Sequence, residues 1–310
     1  MIVRFRQPSV IGWQLCEGGM ASGHAPICQG PDPAPTRPRI SVPAGACDAH
    51  AHVFGPSERY PLIEDRTYTP PDAPLSAYRK LLKVLGLERA VLVQPSVYGT
   101  DNTALLDALA VSGDAFRGVA VVDYGVSDKQ LKALHKAGVR GVRVNLLYKG
   151  GISLTMLGRL ADKIKGMGWH IQLLIDVSDC PEFWRIADRL PVDVVIDHMG
   201  HMEASKGVDD PGFRSLLSLA AEGKAWVKLS GPYRMTARGH TPYADVAGLA
   251  RALIEAAPER MVWASDWPHP FVQIAMPNDG ELLDMLAMWA PDPATRTKIL
   301  VDNPAKLYGF

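Results

Sequence analysis

Two histidines two residues apart, His50 and His52, sit inside the apolar stretch Cys47–Phe54. On an extended strand that spacing puts both imidazoles on one face. Polar rings in such a run need partners or a use, because an unpaired buried nitrogen costs free energy. His198 closes the run Val195-Ile196-Asp197-His198, and Asp266 closes Ala264-Ser265-Asp266. Three imidazoles and a carboxylate brought to one place suit polarisation of a carbonyl or the holding of a divalent ion. Asp48 and Asp197 are expected off the lumen side, bonding neighbouring loops or orienting a histidine. His135, His170 and His240 read as ordinary structural histidines.

A second set is cationic. The run Val139-Arg140-Gly141-Val142-Arg143-Val144-Asn145 puts Arg143 and Asn145 on one face, and Arg234 follows the run Trp226–Ser230. A guanidinium presents a planar fork to two oxygens, so these residues point to a carboxylate-bearing ligand. Arg140 is expected to face away from that ligand.

The elements that must position these groups are eight strand-like runs: Cys47–Phe54, Ala90–Pro95, Gly118–Asp123, Gly141–Leu146, Ile171–Asp176, Val192–His198, Trp226–Ser230 and Met261–Asp266. Several are apolar on both faces, as in parallel strands covered by helices. Helical patterns lie between them. Leu75, Tyr78, Leu81, Leu82 and Leu85 recur at three-to-four spacing and stop at Gly86; Ser127 and Asp210-Pro211 open two more helices. Strict βα alternation, repeated eight times, predicts an α/β fold of the (βα)8 TIM-like barrel type, in which chemistry sits at the C-terminal strand ends. An open doubly wound sheet would want a GxGxxG turn after its first strand, and none follows Cys47–Phe54.

Residues 1–44 show no helical or strand period, and Gly and Pro dominate Gly18–Pro43, so an irregular N-terminal tail is expected before a single barrel domain over 45–310. His24 and Cys28 fall in this tail and are read as without function. The 310 residues carry 33 Lys+Arg against 33 Asp+Glu, which gives no electrostatic footprint for nucleic acid or an anionic membrane. No run approaches the roughly 18 apolar residues of a membrane span. Cys16, Cys28, Cys47 and Cys180 lack metal-type spacing and read as reduced thiols of a cytoplasmic protein. Arg4 and Arg6 precede an apolar patch too short and polar for an export leader.

The segments Cys47–Pro56, Val93–Asn102, Val195–Gly200 and Ser265–Pro270, continued to the closing Asn303–Tyr308, resemble the amidohydrolase superfamily, and within it the 2-pyrone-4,6-dicarboxylate lactonase branch. The resemblance implies a distorted barrel and hydrolysis of a lactone. It implies that His50, His52 and His198 polarise the lactone carbonyl while Asp266 takes a proton from water. Tyr68, Ser96, Arg143 and Arg234 match positions that hold the substrate's carboxylates. Lys149 stands where the branch has another Arg, and Leu174 where it has a Tyr. The implied ligand is a small anionic lactone, such as 2-pyrone-4,6-dicarboxylate or a carboxylated or sulfonated muconolactone, met in aromatic-compound degradation. The alternative is a mono-zinc lactonase or a lactone isomerase acting on sugar-acid lactones.

Two-metal members carry a bridging carboxylated Lys on strand four and further His ligands, where this chain has Arg143 and Gln172. No metal is expected to be required; if one binds, it is a single Zn²⁺ held by His50, His52, His198 and Asp266. A decarboxylase of this barrel type would place a His on strand five, which is missing. A binding protein on an inactive barrel would show a broken HxH pair or no final Asp, and both are intact. Oligomeric state stays open.

Overall fold

The computed structural model describes residues 25–145, 147, 154–180 and 183–310. Lys149, Cys16, His24 and the rest of residues 1–24 lie outside the described residues. Eight parallel strands run in sequence order: β1 (Cys47–Ala51), β2 (Arg89–Val93), β3 (Phe116–Ala120), β4 (Val139–Asn145), β5 (His170–Leu174), β6 (Val194–Ile196), β7 (Ala225–Leu229) and β8 (Met261–Trp263). The helices between and after them are α1 (Leu75–Leu85), α2 (Thr103–Ala110), α3 (Asp128–Lys136), α4 (Leu154–Ile164), α5 (Phe183–Ala187), α6 (Pro211–Ala221), α7 (Ala247–Ala256) and α8 (Asp279–Trp289), followed by the short α9 (Pro293–Thr297) and α10 (Asn303–Tyr308). This is the expected (βα)8 barrel. Among the described residues no helix is long and apolar enough to cross a membrane.

The helix signals act as read. α1 ends at Gly86, whose φ of 74° is the left-handed cap that glycine adopts without strain. Ser127 and Gln130 form a reciprocal capping box on α3, and Asp210 accepts from the backbone N–H of Gly212 and Phe213 at the start of α6.

The strands are shorter than the apolar runs suggested. β6 stops at Ile196 and β8 at Trp263, so His198 and Asp266 lie beyond the ladders. The backbone explains this: His198 has φ 51° and Asp266 φ 66°, left-handed conformations that cannot continue a strand and are rare for residues with a Cβ.

β8 and β1 close the barrel at its top. Asp266 N–H donates to the His50 carbonyl (2.9 Å), and His52 N–H to the Trp267 carbonyl (2.7 Å). Below that, a side chain spans the seam. The Asp48 carboxylate accepts from Ser265 N–H (2.9 Å), the Ser265 hydroxyl, Tyr78 Oη of α1 (2.8 Å) and His50 N–H (3.1 Å). A register shift between Asp48 and Ala51 lets Asp48 face α1 while His50 faces the lumen.

Inside the barrel Cys47, Ala49, Val91, Val93, Val119, Val195, Trp226 and Val262 form an apolar plug, and the larger core lies between strands and helices. Residues 25–44 contain neither a helix nor a strand and lie along the barrel. Cys28 N–H donates to Thr69 O (2.8 Å), Thr69 N–H to Pro26 O (2.7 Å), and Arg39 pairs with Asp284 of α8 (2.9 Å).

Candidate active site

His50, His52, His198 and Asp266 converge at the C-terminal mouth. His50 Nε2 lies 3.2 Å from His52 Nε2. Asp266 Oδ1 is 3.7 Å from both, and Asp266 Oδ2 is 3.8 Å from His198 Nε2. All four residues are buried. Gly231 makes room for one of the rings: its φ is 59°, and a Cβ there would stand 2.9 Å from His198 Nδ1.

The two oxygens of Asp266 differ. Oδ2 accepts from Tyr233 Oη (2.6 Å) and from Arg234 Nε (2.8 Å) and pairs with Arg234 Nη2 (2.8 Å). Oδ1 is buried without a hydrogen bond and faces the histidines. Burial opposes the charge of Asp266 most strongly, yet Arg234 and the neighbouring rings of His198, His50 and His52 together outweigh it and hold the carboxyl well below the usual range. Behind Tyr233, His269 Nδ1 lies 3.0 Å from the phenol oxygen and His269 Nε2 3.1 Å from Asp279.

The imidazoles are neutral. Burial, helped by Arg143, lowers His52 to about 4. Burial lowers His198 to about 3 and takes His50 well below its ordinary value, with Lys228 adding to it. His52 Nδ1 meets the Val93 carbonyl at 2.7 Å and His198 Nδ1 the Ser230 hydroxyl at 2.9 Å.

Beneath the histidines lies a polar floor. Asp197 Oδ2 accepts from Arg143 Nε and Nη2 (3.3 Å each) and from Gln172 Nε2 (3.1 Å). Lys228 Nζ donates to Gln172 Oε1 (2.7 Å) and lies 3.5 Å from Asp197 Oδ1. Burial lowers Lys228 to about 8 against the pull of Asp197. Asp197 therefore faces the lumen, contrary to expectation. It shares the inner face with Val195 two residues earlier, as strand alternation requires. Burial would raise its pKa, but His50, Lys228 and Arg143 hold it well below normal.

A pocket with about 330 Å³ of empty space, counting the part open to solvent, is lined by His52, Tyr68, Ser96, Arg143, Leu174 and Arg234 among others. Tyr68 stacks on Phe271 with ring centroids 5.8 Å apart, and Ser96 opens the short turn after β2. The expected site residues within the described chain thus all reach one mouth. His201 and Asn145 line it as well. Asn145 shares Arg143's face by its spacing, whereas His201 was missed. It follows His198 by three residues, and Met199 and His201 are left-handed too (φ 52° and 54°), a bend without a periodic signature.

His170, read as an ordinary structural histidine, is buried with neither ring nitrogen hydrogen-bonded, so a backbone partner for it is not found. It is the first residue of β5, so strand five does carry a His, contrary to expectation, but at the N-terminal end, away from the mouth.

One ligand atom from each of His50, His198 and Asp266 lies within 4.8 Å of the others, and the orphaned Asp266 Oδ1 points among them. The donor set and spacing fit one divalent ion such as Zn²⁺.

A barrel with these groups at its C-terminal mouth defines an enzyme of the amidohydrolase class. The chain belongs to the amidohydrolase family, whose model matches residues 47–310. It is 41% identical over 285 residues to a 2-pyrone-4,6-dicarboxylate hydrolase of Comamonas testosteroni, covering 88% of this chain and 93% of the relative. It is 38% identical to a 4-sulfomuconolactone hydrolase of Hydrogenophaga intermedia (92% and 95% covered) and 32% identical to a D-galactarolactone isomerase of Agrobacterium fabrum (88% and 94%). An apo crystal structure from Agrobacterium tumefaciens superposes with a TM-score of 0.81 at 30% identity, covering 88% of this chain and 98% of that one.

Proposed function

We propose that this chain hydrolyses a small anionic lactone, with Asp266 as general base and His50, His52 and His198 around the reacting carbonyl. The observation that supports it most is Asp266 Oδ1: a buried, ionised, unpartnered oxygen 3.7 Å from the neutral imidazoles of His50 and His52, with His198 beside the other carboxylate oxygen. In this reading Oδ1 removes a proton from water as the water oxygen bonds to the ring carbonyl carbon. A ring N–H of His50 or His198 stabilises the oxyanion, since the Nδ1–H of His52 is committed to the Val93 carbonyl; the ring C–O bond breaks, and Asp266 returns the proton to the departing ring oxygen, leaving the open-chain acid. Arg143, Arg234, Tyr68 and Ser96 hold the anionic substituent, and Lys149 adds a cation by resemblance. Leu174 lines the pocket without a hydroxyl, which favours a second acidic group placed elsewhere than on a pyrone dicarboxylate ring.

A divalent ion held by His50, His198 and Asp266 would supply Lewis acidity at the carbonyl. We read the reaction as independent of it, because neutral imidazoles and two guanidiniums already face the pocket.

Three lactones test the proposal: 2-pyrone-4,6-dicarboxylate, 4-sulfomuconolactone and D-galactarolactone, each assayed after chelation and again with Zn²⁺. Release of acid from one of the first two, surviving chelation, is expected. Conversion of the third into an isomeric lactone without acid release would replace hydrolysis by isomerisation. Activity only with Zn²⁺ would overturn the metal-independent mechanism.

A further inference from the structure

The chain that leaves β6 turns the wrong way for residues with a Cβ. His198, Met199, Gly200 and His201 all have left-handed backbones, with φ of 51°, 52°, 88° and 54°. Three of the four are strained there, so the turn persists only because its surroundings hold it. Two bonds between residues three apart close it: Gly200 N–H donates to Asp197 O (3.1 Å) and His201 N–H to His198 O (2.9 Å). In a turn of three residues, side chains three apart lie one above the other. Met199 is fully buried, and a Cβ on Gly200 would stand 2.7 Å from Val177, so the middle of the turn faces the core. Its two ends, His198 and His201, both line the pocket, with ring centroids 6.0 Å apart.

The two rings are held differently. His198 Nδ1 meets the Ser230 hydroxyl at 2.9 Å, and its Nε2 faces Asp266. His201 is half-buried, and among the described residues no other residue hydrogen-bonds its ring. It stands outside the His50, His198 and Asp266 group that could hold an ion. An imidazole carries at least one ring hydrogen in either charge state, so His201 always has a donor to offer. The guanidiniums of the pocket are partly committed to the protein. Arg143 donates from Nε and Nη2 to Asp197 and from Nη1 to Gln94 O (3.4 Å); Arg234 donates from Nε to Asp266 and from Nη2 to Pro270 O (3.0 Å). Gly231 joins the two sides of this corner: a Cβ on it would stand 2.9 Å from His198 Nδ1 and 3.2 Å from Arg234 Cδ. The Arg234 charge therefore lies on the same side of the pocket as the histidine turn, while on β5 Leu174 offers no donor.

We infer that His201 is a specificity-determining residue, which donates a hydrogen bond to an acidic substituent of the lactone and seats that group beside Arg234 rather than beside Leu174. The inference rests on the lactone reading for its substrate and on the turn for its geometry. Glycine at 201 would make the same turn without strain, so what the ring adds is a contact to a ligand.

The contact is read in the full-length protein with 2-pyrone-4,6-dicarboxylate and 4-sulfomuconolactone, each beside the two analogues that lack one or the other acidic group. His201→Gly removes the ring and relaxes the left-handed backbone. Its KM is expected to rise about 10- to 100-fold for the lactones that carry one particular acidic group and less than about threefold for the analogue without that group, with kcat little changed. The compound that escapes the loss tells a carboxylate from a sulfonate. His201→Gln keeps an N–H at similar reach and recovers most of the loss. His201→Phe keeps a ring and removes the donor, and it decides should the glycine variant not fold. An equal rise in KM for every lactone, or a fall in kcat alone, overturns the inference. Calorimetry in the Asp266→Asn background, where no ring opens, separates it from the lactone reading. A selective loss of affinity on His201→Gly, with no turnover by wild type, upholds the contact and removes hydrolysis. Turnover by wild type with affinities equal in the two proteins removes the contact alone. If none of these compounds binds, both fall.

Discussion

Arg234 and Tyr233 leave Asp266 one reactive oxygen. Their donors occupy Oδ2, and Oδ1 keeps its lone pairs toward the histidines. Asp266→Asn keeps the shape and loses the base, so kcat is expected to fall by about 10³-fold, at the scale of general-base catalysis. Near-normal turnover in that variant would remove Asp266 from the mechanism. The pH profile follows from the imidazoles. Burial lowers His52 to about 4 and His198 to about 3, so both stay neutral as pH falls through the ordinary histidine range and take up protons only below it. The ratio kcat/KM is therefore expected to stay level from pH 8 down to about 5 and to decline below that. An inflection near 6.5 would show rings that are not held neutral. His50, His52, His198 and Asp266 were legible because their types are out of place in apolar runs. Tyr233 and Lys228 were not, since a Tyr in a turn and a Lys in a strand announce nothing until their partners from other strands are in place.

The eight-fold βα alternation was legible in the strand runs because parallel strands buried on both faces stay apolar along their length. Their ends were not legible, because the left-handed turns at His198 and Asp266 depend on contacts across the barrel rather than on local propensity. The same holds for the seam between β8 and β1. Asp48 joins the two strands through Ser265, where backbone pairing is confined to the top. Burial raises its pKa to about 6 in spite of four donors, above the roughly 3.9 of an unfolded Asp. The folded state thus binds this proton more tightly than the unfolded state. The stability it contributes is complete below about pH 4 and is lost as pH rises to about 6. Asp48→Asn cannot titrate. Urea unfolding of both proteins from pH 4 to 7 should show wild type losing ground to the variant as pH rises through that window. A constant difference would show that Asp48 has an ordinary pKa.

At the scale of the whole molecule, the chain combines zero net charge with a mouth rich in guanidiniums, so its attraction for anions is local to the pocket. The segment before the barrel bears on that mouth. Its lack of any hydrophobic period was legible, and its course was not, because it is held by backbone pairing with Thr69 and by side-chain bonds to residues as distant in sequence as Asn278 and Asp284. Ile27 bridges to Thr69, with Cys28 N–H donating to Thr69 O, Thr69 N–H to Pro26 O and the Thr69 hydroxyl to Ala25 O. The next residue back is Tyr68, which lines the pocket and stacks on Phe271. Removing residues 1–30 deletes all three of these hydrogen bonds and leaves the eight strands and their helices intact. Tyr68 would then be ordered only when substrate binds, at a cost of about 1 kcal/mol for one residue's backbone. A cost met in binding and not in chemistry raises KM, here by about fivefold, and leaves kcat within about twofold. Steady-state kinetics of the truncated chain on whichever lactone the full chain turns over, beside its thermal unfolding, separates the possibilities. A raised KM with an unchanged melting temperature would make the segment part of the binding site. An unchanged KM with a lowered melting temperature would make it a cover that stabilises the barrel and leaves the site alone.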